Sequence, residues 1–170
     1  MPPTPSFELS TYLQYTKSLV ESALDEILPQ ADQRPAVLHA AMRYSTMSGG
    51  KRIRPILCIA AWQACSDTRD FYADIPPQLR QAATAIELLH TYTLIHDDLP
   101  CMDDDDLRRG KPTTHKAYGE ANALLAGDAL LTLAFETTAR ADLVMAGGCG
   151  CATLELSQAS GSQGVVGGQV

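Results

Sequence analysis

A dense run of aspartates is the part of the chain best suited to chemistry. Six of the ten residues from Asp97 to Asp106 are aspartate, and Arg108, Arg109 and Lys111 follow within five positions. Carboxylates at this density repel one another and cannot be buried unless cations neutralise them. The segment therefore predicts a place where metal ions meet an anionic ligand.

The start of the acidic run favours magnesium. Asp97 and Asp98 fall where a helix should end, because Pro100 cannot continue it, and a helix C-terminus already carries partial negative charge. Mg²⁺ takes oxygen ligands and usually bridges one or two carboxylates to substrate phosphates. A solvated acidic loop is the alternative. A calcium-binding EF-hand loop starting at Asp103 is excluded, because Leu107 would stand at loop position five, which requires an oxygen ligand.

A basic segment and a histidine could bind the anion. The segment Gly49-Gly50-Lys51-Arg52-Ile53-Arg54-Pro55 combines flexible backbone, three cations and a predicted helix start. It is not a Walker A loop, because Arg52 stands where Ser or Thr should follow the lysine. His90 lies seven residues before Asp97, almost two helical turns, and so projects to the same side. A solvated turn and a core histidine are the alternative interpretations.

The elements that must position these groups are helices. Apolar residues at three-to-four spacing predict helices over residues 9–27, 35–47, 55–65, 78–99, 120–138 and 152–170. The third and fifth are apolar almost throughout and should be buried. The stripe of the fourth helix that leads to Asp97 carries Leu79, Ala82, Ala83, Ile86, His90 and Thr93. No alternating strand pattern is convincing, so the predicted class is all-α.

Composition narrows the class of protein. The 170 residues are 45% hydrophobic, enough to bury the core of one domain, and the net charge of −7 argues against a general nucleic-acid binder. Five irregularly spaced cysteines fit reduced thiols and a cytoplasmic location better than a secreted disulfide framework. Neither a secretory signal nor a membrane span is expected.

The combined motifs resemble one enzyme family. The segment 49–55, together with the segment from Leu94-Ile95-His96-Asp97-Asp98 to Gly110-Lys111-Pro112-Thr113, resembles the trans-polyprenyl diphosphate synthases, close to the bacterial short-chain farnesyl and geranylgeranyl type. The likeness extends to Leu125-Ala126-Gly127-Asp128 and Gly167-Gly168-Gln169. It implies an isoprenoid-synthase-type helical bundle with a central cavity, and a homodimer.

The resemblance implies a reaction and a set of site residues. The reaction is the Mg²⁺-dependent condensation of isopentenyl diphosphate with an allylic diphosphate, dimethylallyl or geranyl. By resemblance, Asp97 and Asp103 ligate Mg²⁺ with Asp98 as a supporting carboxylate, and Arg108 binds the allylic diphosphate. The isopentenyl diphosphate would be bound by Lys51, Arg54, His90 and Arg109.

The resemblance also suggests where product length is set. In this family a bulky residue four or five positions before the acidic motif limits the depth of the pocket, and here those positions hold Thr93 and Tyr92. Five helical residues span roughly 7.5 Å, so the Tyr92 ring could form a floor. The expected product is farnesyl diphosphate, with geranylgeranyl diphosphate as the alternative because Thr93 is small. Tyr92 as an ordinary core residue is the other interpretation.

One family feature is missing from the sequence. A second aspartate-rich motif would be expected in the C-terminal half of such a synthase, and none follows Asp128. Residues 1–170 are therefore expected to be the N-terminal part of a single synthase domain and inactive alone. A non-catalytic regulatory or diphosphate-binding subunit, and a structural helical module with an acidic loop, are the alternatives.

Overall fold

The computed structural model describes residues 7–66, 70–144 and 152–170, and these are predominantly helical. The helices are α1 (Leu9–Ile27), α2 (Ala36–Thr46), α3 (Ile53–Cys65), α4 (Pro77–Asp97), α5 (Thr114–Tyr118), α6 (Glu120–Val144) and α7 (Ala152–Ser160), followed by a 3₁₀ turn at Gly167–Gln169. The all-α prediction is confirmed. Within the described residues the exception is a hairpin of two short strands, β1 (Leu107–Arg108) and β2 (Lys111–Pro112).

Local signals set the ends of α1. The side chain of Glu8 accepts hydrogen bonds from the backbone amides of Ser10 and Thr11, which would otherwise lack partners at a helix start. These bonds lower the pKa of Glu8 to about 2, the side-chain hydrogen bond from Ser10 contributing most. The helix ends before Pro29, as its sequence predicts.

The core lies between α4 and α6, with α1, α2 and α3 packed around it. Small residues dominate the buried face of α6, where Ala123, Ala126 and Ala134 are fully buried. Small side chains let helix backbones approach closely, so the larger Leu88 and Ile95 of α4 can fill the space between the helices. The same packing fixes the position of the α4 C-terminus, which carries the acidic motif.

Two helices are less buried than their composition predicts. Only one side of α3 packs, against α1 and α4, and Leu57 on its other side is 61% exposed. Leu125 of α6 is likewise 53% exposed. The prediction of a buried third helix is therefore wrong for that outer face, because apolar content alone does not show how many neighbours a helix has.

The predicted last helix is shorter than expected. It ends at Ser160, and the chain then turns so that the Val165 amide donates to the carbonyl of Ala159 at 2.9 Å. A Cβ at Gly164 would lie 1.9 Å from that carbonyl oxygen. The glycines that weaken a helix here also make this turn possible.

Candidate active site

The loop between α2 and α3 is shaped by two glycines. Gly49 and Gly50 have φ values of 87° and 136°, which side chains other than glycine rarely adopt. Nη1 of Arg109 donates to the carbonyl of Gly49, and a Cβ at Gly50 would lie 2.6 Å from that nitrogen. The glycines therefore let the hairpin arginine reach the basic loop.

The structure brings together the four residues that are predicted to bind isopentenyl diphosphate. They line one cavity of about 470 Å³ that is walled by α3, α4 and the hairpin: Lys51, Arg54, His90 and Arg109. Three cationic side chains converging on one cavity create a field that favours a small anion of high charge. Their roles toward isopentenyl diphosphate stay a prediction.

His90 is held in its neutral form. Nη1 of Arg54 lies 3.2 Å from Nε2 of His90, and because a guanidinium only donates, Nε2 must be the acceptor. Burial lowers the pKa of His90 first, and the nearby charge of Arg54 lowers it further. The remaining ring proton is therefore on Nδ1.

The first aspartate of the acidic motif ends α4. Asp97 is the last helical residue, and the chain then turns so that the Asp103 amide donates to the Asp97 carbonyl at 2.8 Å. This turn after Pro100 brings the two acidic residues near each other although they are six positions apart. Burial, followed by the charge of Asp103, raises the pKa of the Asp97 carboxyl.

The pair fits Mg²⁺ by its donor chemistry. Proteins usually bind this ion through one or two carboxylates together with the phosphates of the substrate. The raised pKa of Asp97 indicates unfavourable negative charge at this carboxylate, which a bound cation would offset. Within the described residues no group of three or more His, Cys, Asp or Glu side chains forms a complete metal cage. Asp97 and Asp103 would therefore hold the ion together with oxygen atoms from the ligand or water.

Asp98 has a different environment from its neighbour. It is 2% exposed, and both its oxygens accept hydrogen bonds from Arg108, at 2.8 and 2.9 Å from Nε and 2.6 Å from Nη2. The hydrogen bond to Asp98 is the main cause that raises the pKa of Arg108. Asp98 thus positions Arg108, a role that the sequence analysis missed when it grouped Asp98 with the metal ligands.

Arg108 keeps one nitrogen for a ligand. Nε and Nη2 bind Asp98, whereas Nη1 makes no hydrogen bond within the described residues. The four aspartates from Asp103 to Asp106 are exposed, and Asp106 pairs with Lys116 at 2.7 Å. The acidic run therefore divides into Asp97 and Asp98, which are partly or fully buried, and four aspartates that are exposed to solvent.

The predicted chain-length residues lie beside Asp97. Tyr92, Thr93 and Asp97 line a second cavity of about 470 Å³. The Tyr92 ring meets the His96 ring edge to face, with centroids 5.0 Å apart. Thr93 also lines a largely apolar cavity of about 570 Å³ that includes His90. The apolar stripe predicted on α4 faces these cavities at Ala82, Ile86, His90 and Thr93.

Two charged residues at the site have environments that the sequence does not indicate. Arg52, one of the three cations of the basic segment, is 3% exposed and turns inward. Its partner is Glu87, whose Oε1 lies 2.8 Å from Nη1 of Arg52. Glu87 is three residues before His90 on the buried side of α4. The sequence signal that indicates a partner for it is an acidic residue among apolar ones, because a buried acid requires a partner.

Fold and site together define a helical protein in which one helix, α4, carries His90 at a cationic cavity and Asp97 at its C-terminal end. Comparison with known proteins shows its family. The sequence profile of the polyprenyl synthetase family matches residues 35–165. The chain belongs to the polyprenyl synthetase family.

Curated relatives extend well beyond the matched region. The chloroplastic heterodimeric geranylgeranyl pyrophosphate synthase large subunit 1 of Arabidopsis thaliana is 48% identical over 168 residues, covering 97% of this chain and 43% of that protein. The chloroplastic geranylgeranyl pyrophosphate synthase of Capsicum annuum is 46% identical, covering 96% and 42%. The chain thus spans less than half the length of these relatives.

Solved structures agree on the fold. An FPP/GFPP synthase from Zymomonas mobilis superposes with a TM-score of 0.77 at 41% identity, covering 95% of this chain and 55% of that one. A geranyltranstransferase from Thermotoga maritima gives 0.64 at 43% identity, covering 74% and 44%. The isoprenoid-synthase-type helical fold is therefore confirmed. In the described part of the chain, no helix is long and apolar enough to cross a membrane.

Proposed function

We propose that the chain is part of a prenyltransferase that condenses isopentenyl diphosphate with an allylic diphosphate. The observation that carries this proposal is the convergence of Lys51, Arg54, His90 and Arg109 on one cavity. His90 and Asp97 are seven residues apart on α4, about 10.5 Å along the helix axis. Two diphosphates could therefore bind side by side, one at the cationic cavity and one at the carboxylates.

In the proposed reaction, different residues act on the two substrates. The allylic substrate breaks its carbon–oxygen bond and loses diphosphate, isopentenyl diphosphate attacks the resulting cation through its double bond, and a proton leaves. When bound at Asp97 and Asp103, Mg²⁺ supplies positive charge to the leaving diphosphate. Arg108, fixed by Asp98 through Nε and Nη2, would donate its remaining nitrogen to the same group. Lys51 and Arg54 hold the attacking substrate by its diphosphate.

The product is proposed from the relatives and from α4. The Arabidopsis and Capsicum proteins are named geranylgeranyl pyrophosphate synthases, which favours that product. Small Thr93 between two cavities supports it, because it leaves room for a longer chain. Farnesyl diphosphate, the product expected from the sequence, is the second candidate. It is supported by the Tyr92 ring in the cavity beside Asp97.

The oligomeric state and the cellular location of the protein are also proposals, on which the names of its relatives bear. One relative is named a heterodimeric large subunit, so pairing with a second type of subunit stands beside the homodimer. Size-exclusion chromatography with light scattering distinguishes a lone subunit, a homodimer and a mixed dimer. A cytoplasmic location stays a prediction, because several relatives are named chloroplastic.

Titration calorimetry with isopentenyl diphosphate tests the site itself. In Mg²⁺-free buffer the chain should bind this ligand, and Lys51→Gln and Arg54→Gln should each weaken binding at least tenfold. Arg43→Gln is the matched control, because Arg43 pairs with Asp25 away from the cavity. Equal binding by all variants, or no binding by the unaltered chain, would contradict the proposed site.

Product analysis tests the reaction. Incubation with isopentenyl diphosphate, geranyl diphosphate and Mg²⁺ should yield prenyl product in the assembly that carries the complete site. Product with only one of the two substrates, or transfer that persists after Asp97→Asn, would contradict the assignment. Binding without transfer under every assembly would instead support the non-catalytic subunit.

A further inference from the structure

The three cations of the basic loop do not share one environment. All three line the cationic cavity, but Lys51 and Arg54 are exposed, whereas the side chain of Arg52 is only 2% exposed. Arg52 is also the residue before α3 and has a φ of 53°, a left-handed conformation that residues other than glycine seldom adopt. Its side chain therefore points into the protein while its neighbours point outward.

The buried guanidinium joins separate helices. Nη1 donates to Oε1 of Glu87 on α4 at 2.8 Å, and Nη2 donates to the carbonyl of Thr46 at the end of α2 at 2.7 Å. Nε lies 3.6 Å from Oε1 of Glu21 on α1. One side chain thus connects the loop that carries Lys51 to α1, α2 and α4. A planar guanidinium can do this because its several N–H donors point toward acceptors on different helices.

Glu87 is part of the cavity wall. It lies one helical turn before His90 on α4 and lines the same cavity as Lys51, Arg54 and Arg109. A free carboxylate there would repel a diphosphate, since like charges in a partly buried site interact strongly. The hydrogen bond from Arg52 compensates that charge and at the same time fixes the distance between the basic loop and α4.

We propose that Arg52 and Glu87 form a positioning pair for the cationic cavity. The pair holds Lys51 and Arg54 opposite His90 and offsets the carboxylate charge in the wall, without contacting the diphosphate. The inference rests on the proposed function, because it assumes that the cavity binds a diphosphate.

The test measures inorganic pyrophosphate binding by calorimetry on the full chain in Mg²⁺-free buffer, well below each variant's unfolding temperature. Arg52→Lys keeps the charge but loses the planar fork, and Arg52→Gln also loses the charge that offsets the Glu87 carboxylate. Each should bind pyrophosphate at least tenfold more weakly than the unaltered chain while retaining its circular dichroism spectrum.

The matched control is Arg43→Lys, because Arg43 also binds a carboxylate and backbone carbonyls, at Asp25, Leu28 and Pro29, away from the cavity. This variant should lose stability but keep its pyrophosphate affinity. If the pair were merely structural, its variants would likewise lose stability and keep their pyrophosphate affinity. Wild-type affinity in folded Arg52→Lys and Arg52→Gln would therefore overturn the proposal.

A double variant covers the case in which single changes prevent folding. Replacing both members of a buried ion pair by apolar residues is often tolerated, so Arg52→Met with Glu87→Met should fold. It should still bind pyrophosphate at least tenfold more weakly, and wild-type affinity would overturn the proposal. If the unaltered chain binds no pyrophosphate, the proposed function itself fails and this inference fails with it; loss confined to the variants supports both.

Discussion

The imidazole of His96 lies against the backbone of Gly127, where a Cβ atom would come within 2.2 Å of Nε2. The same nitrogen donates to the carbonyl of Leu124 on α6 at 3.1 Å. His96 is followed directly by Asp97, so this contact between α4 and α6 helps to fix the first carboxylate of the site.

Gly127→Ala should destabilise the fold. The added methyl group displaces the His96 ring and its hydrogen bond, which outweighs the gain in helix propensity of about 1 kcal/mol. We expect the free energy of unfolding to fall by about 1–3 kcal/mol in urea titrations. Gly168→Ala is the control, because a Cβ there meets nothing within 4 Å.

A second substitution at His96 tests whether its ring causes this loss of stability. In a chain that already carries His96→Ala, the change Gly127→Ala should be neutral or stabilising, since the obstructing ring is gone and the helix propensity gain remains. An equal loss of stability in both backgrounds would show that the ring is not the cause.

Asp98→Asn should destabilise the chain more than any change at the outer aspartates. The amide nitrogen would face the N–H groups of Arg108, so one of the paired hydrogen bonds becomes a repulsive contact. Because Arg108 is partly exposed, we expect a loss of roughly 1–3 kcal/mol in urea titrations with chelator present. Asp104→Asn is the control, since Asp104 is exposed and its φ of 53° suits asparagine. Equal stabilities would refute the positioning role.

The sequence was sufficient for features that depend on neighbouring residues. Pro29 and Pro100 mark the ends of α1 and α4, and the glycine pair at Gly49 marks the loop before α3. The same holds for the spacing of His90 and Asp97 on one helix. These signals act within a few residues, so they can be recognised without knowing the packing.

Features set by packing could not be predicted in the same way. Arg52 looks like Lys51 and Arg54 in sequence, but it turns inward to partners such as Glu87, which lies 35 residues away. The exposure of the outer face of α3 could not be predicted for the same reason, because burial depends on which helices lie beside it. The role of Gly127 also depends on packing, because it requires the neighbouring His96 ring.

Asp97→Asn should stabilise the chain when no metal is present. A pKa raised in the folded state means that the folded chain binds more protons than the unfolded chain above pH 3.8, so stability falls as pH rises through that window. At pH 7 the charged carboxylate is therefore unfavourable, and the neutral amide should add a few tenths of a kcal/mol, a value reduced by solvent screening.

With magnesium and pyrophosphate present, the unaltered chain should become more stable than Asp97→Asn. Adding Mg²⁺ with pyrophosphate should raise the unfolding temperature of the unaltered chain more than that of Asp97→Asn, because the variant loses a ligand. Differential scanning fluorimetry measures both conditions. An identical shift in the two proteins would argue against Asp97 as a ligand.

His90 should make stability depend on pH. Its pKa is lowered by burial and by Arg54, so near and below pH 6.5 the unfolded chain binds more protons and stability falls as pH decreases. Urea titrations between pH 7.5 and 5.5 should show a smaller fall for His90→Gln. His39→Gln is the control, since His39 lies on α2 and contacts the Gln33 carbonyl at 2.9 Å. An unchanged slope in His90→Gln would contradict the prediction.

Tyr92→Ala should lengthen the product in an active assembly. The ring packs edge to face on His96 and lines the cavity beside Asp97, so its removal extends the space open to the growing chain. Chromatography of the dephosphorylated products should show a shift by at least one isoprene unit, whereas Tyr92→Phe keeps the ring and should keep the profile. If Tyr92→Ala leaves the profile unchanged while transfer continues, the ring is core packing and product length is limited elsewhere along the cavity.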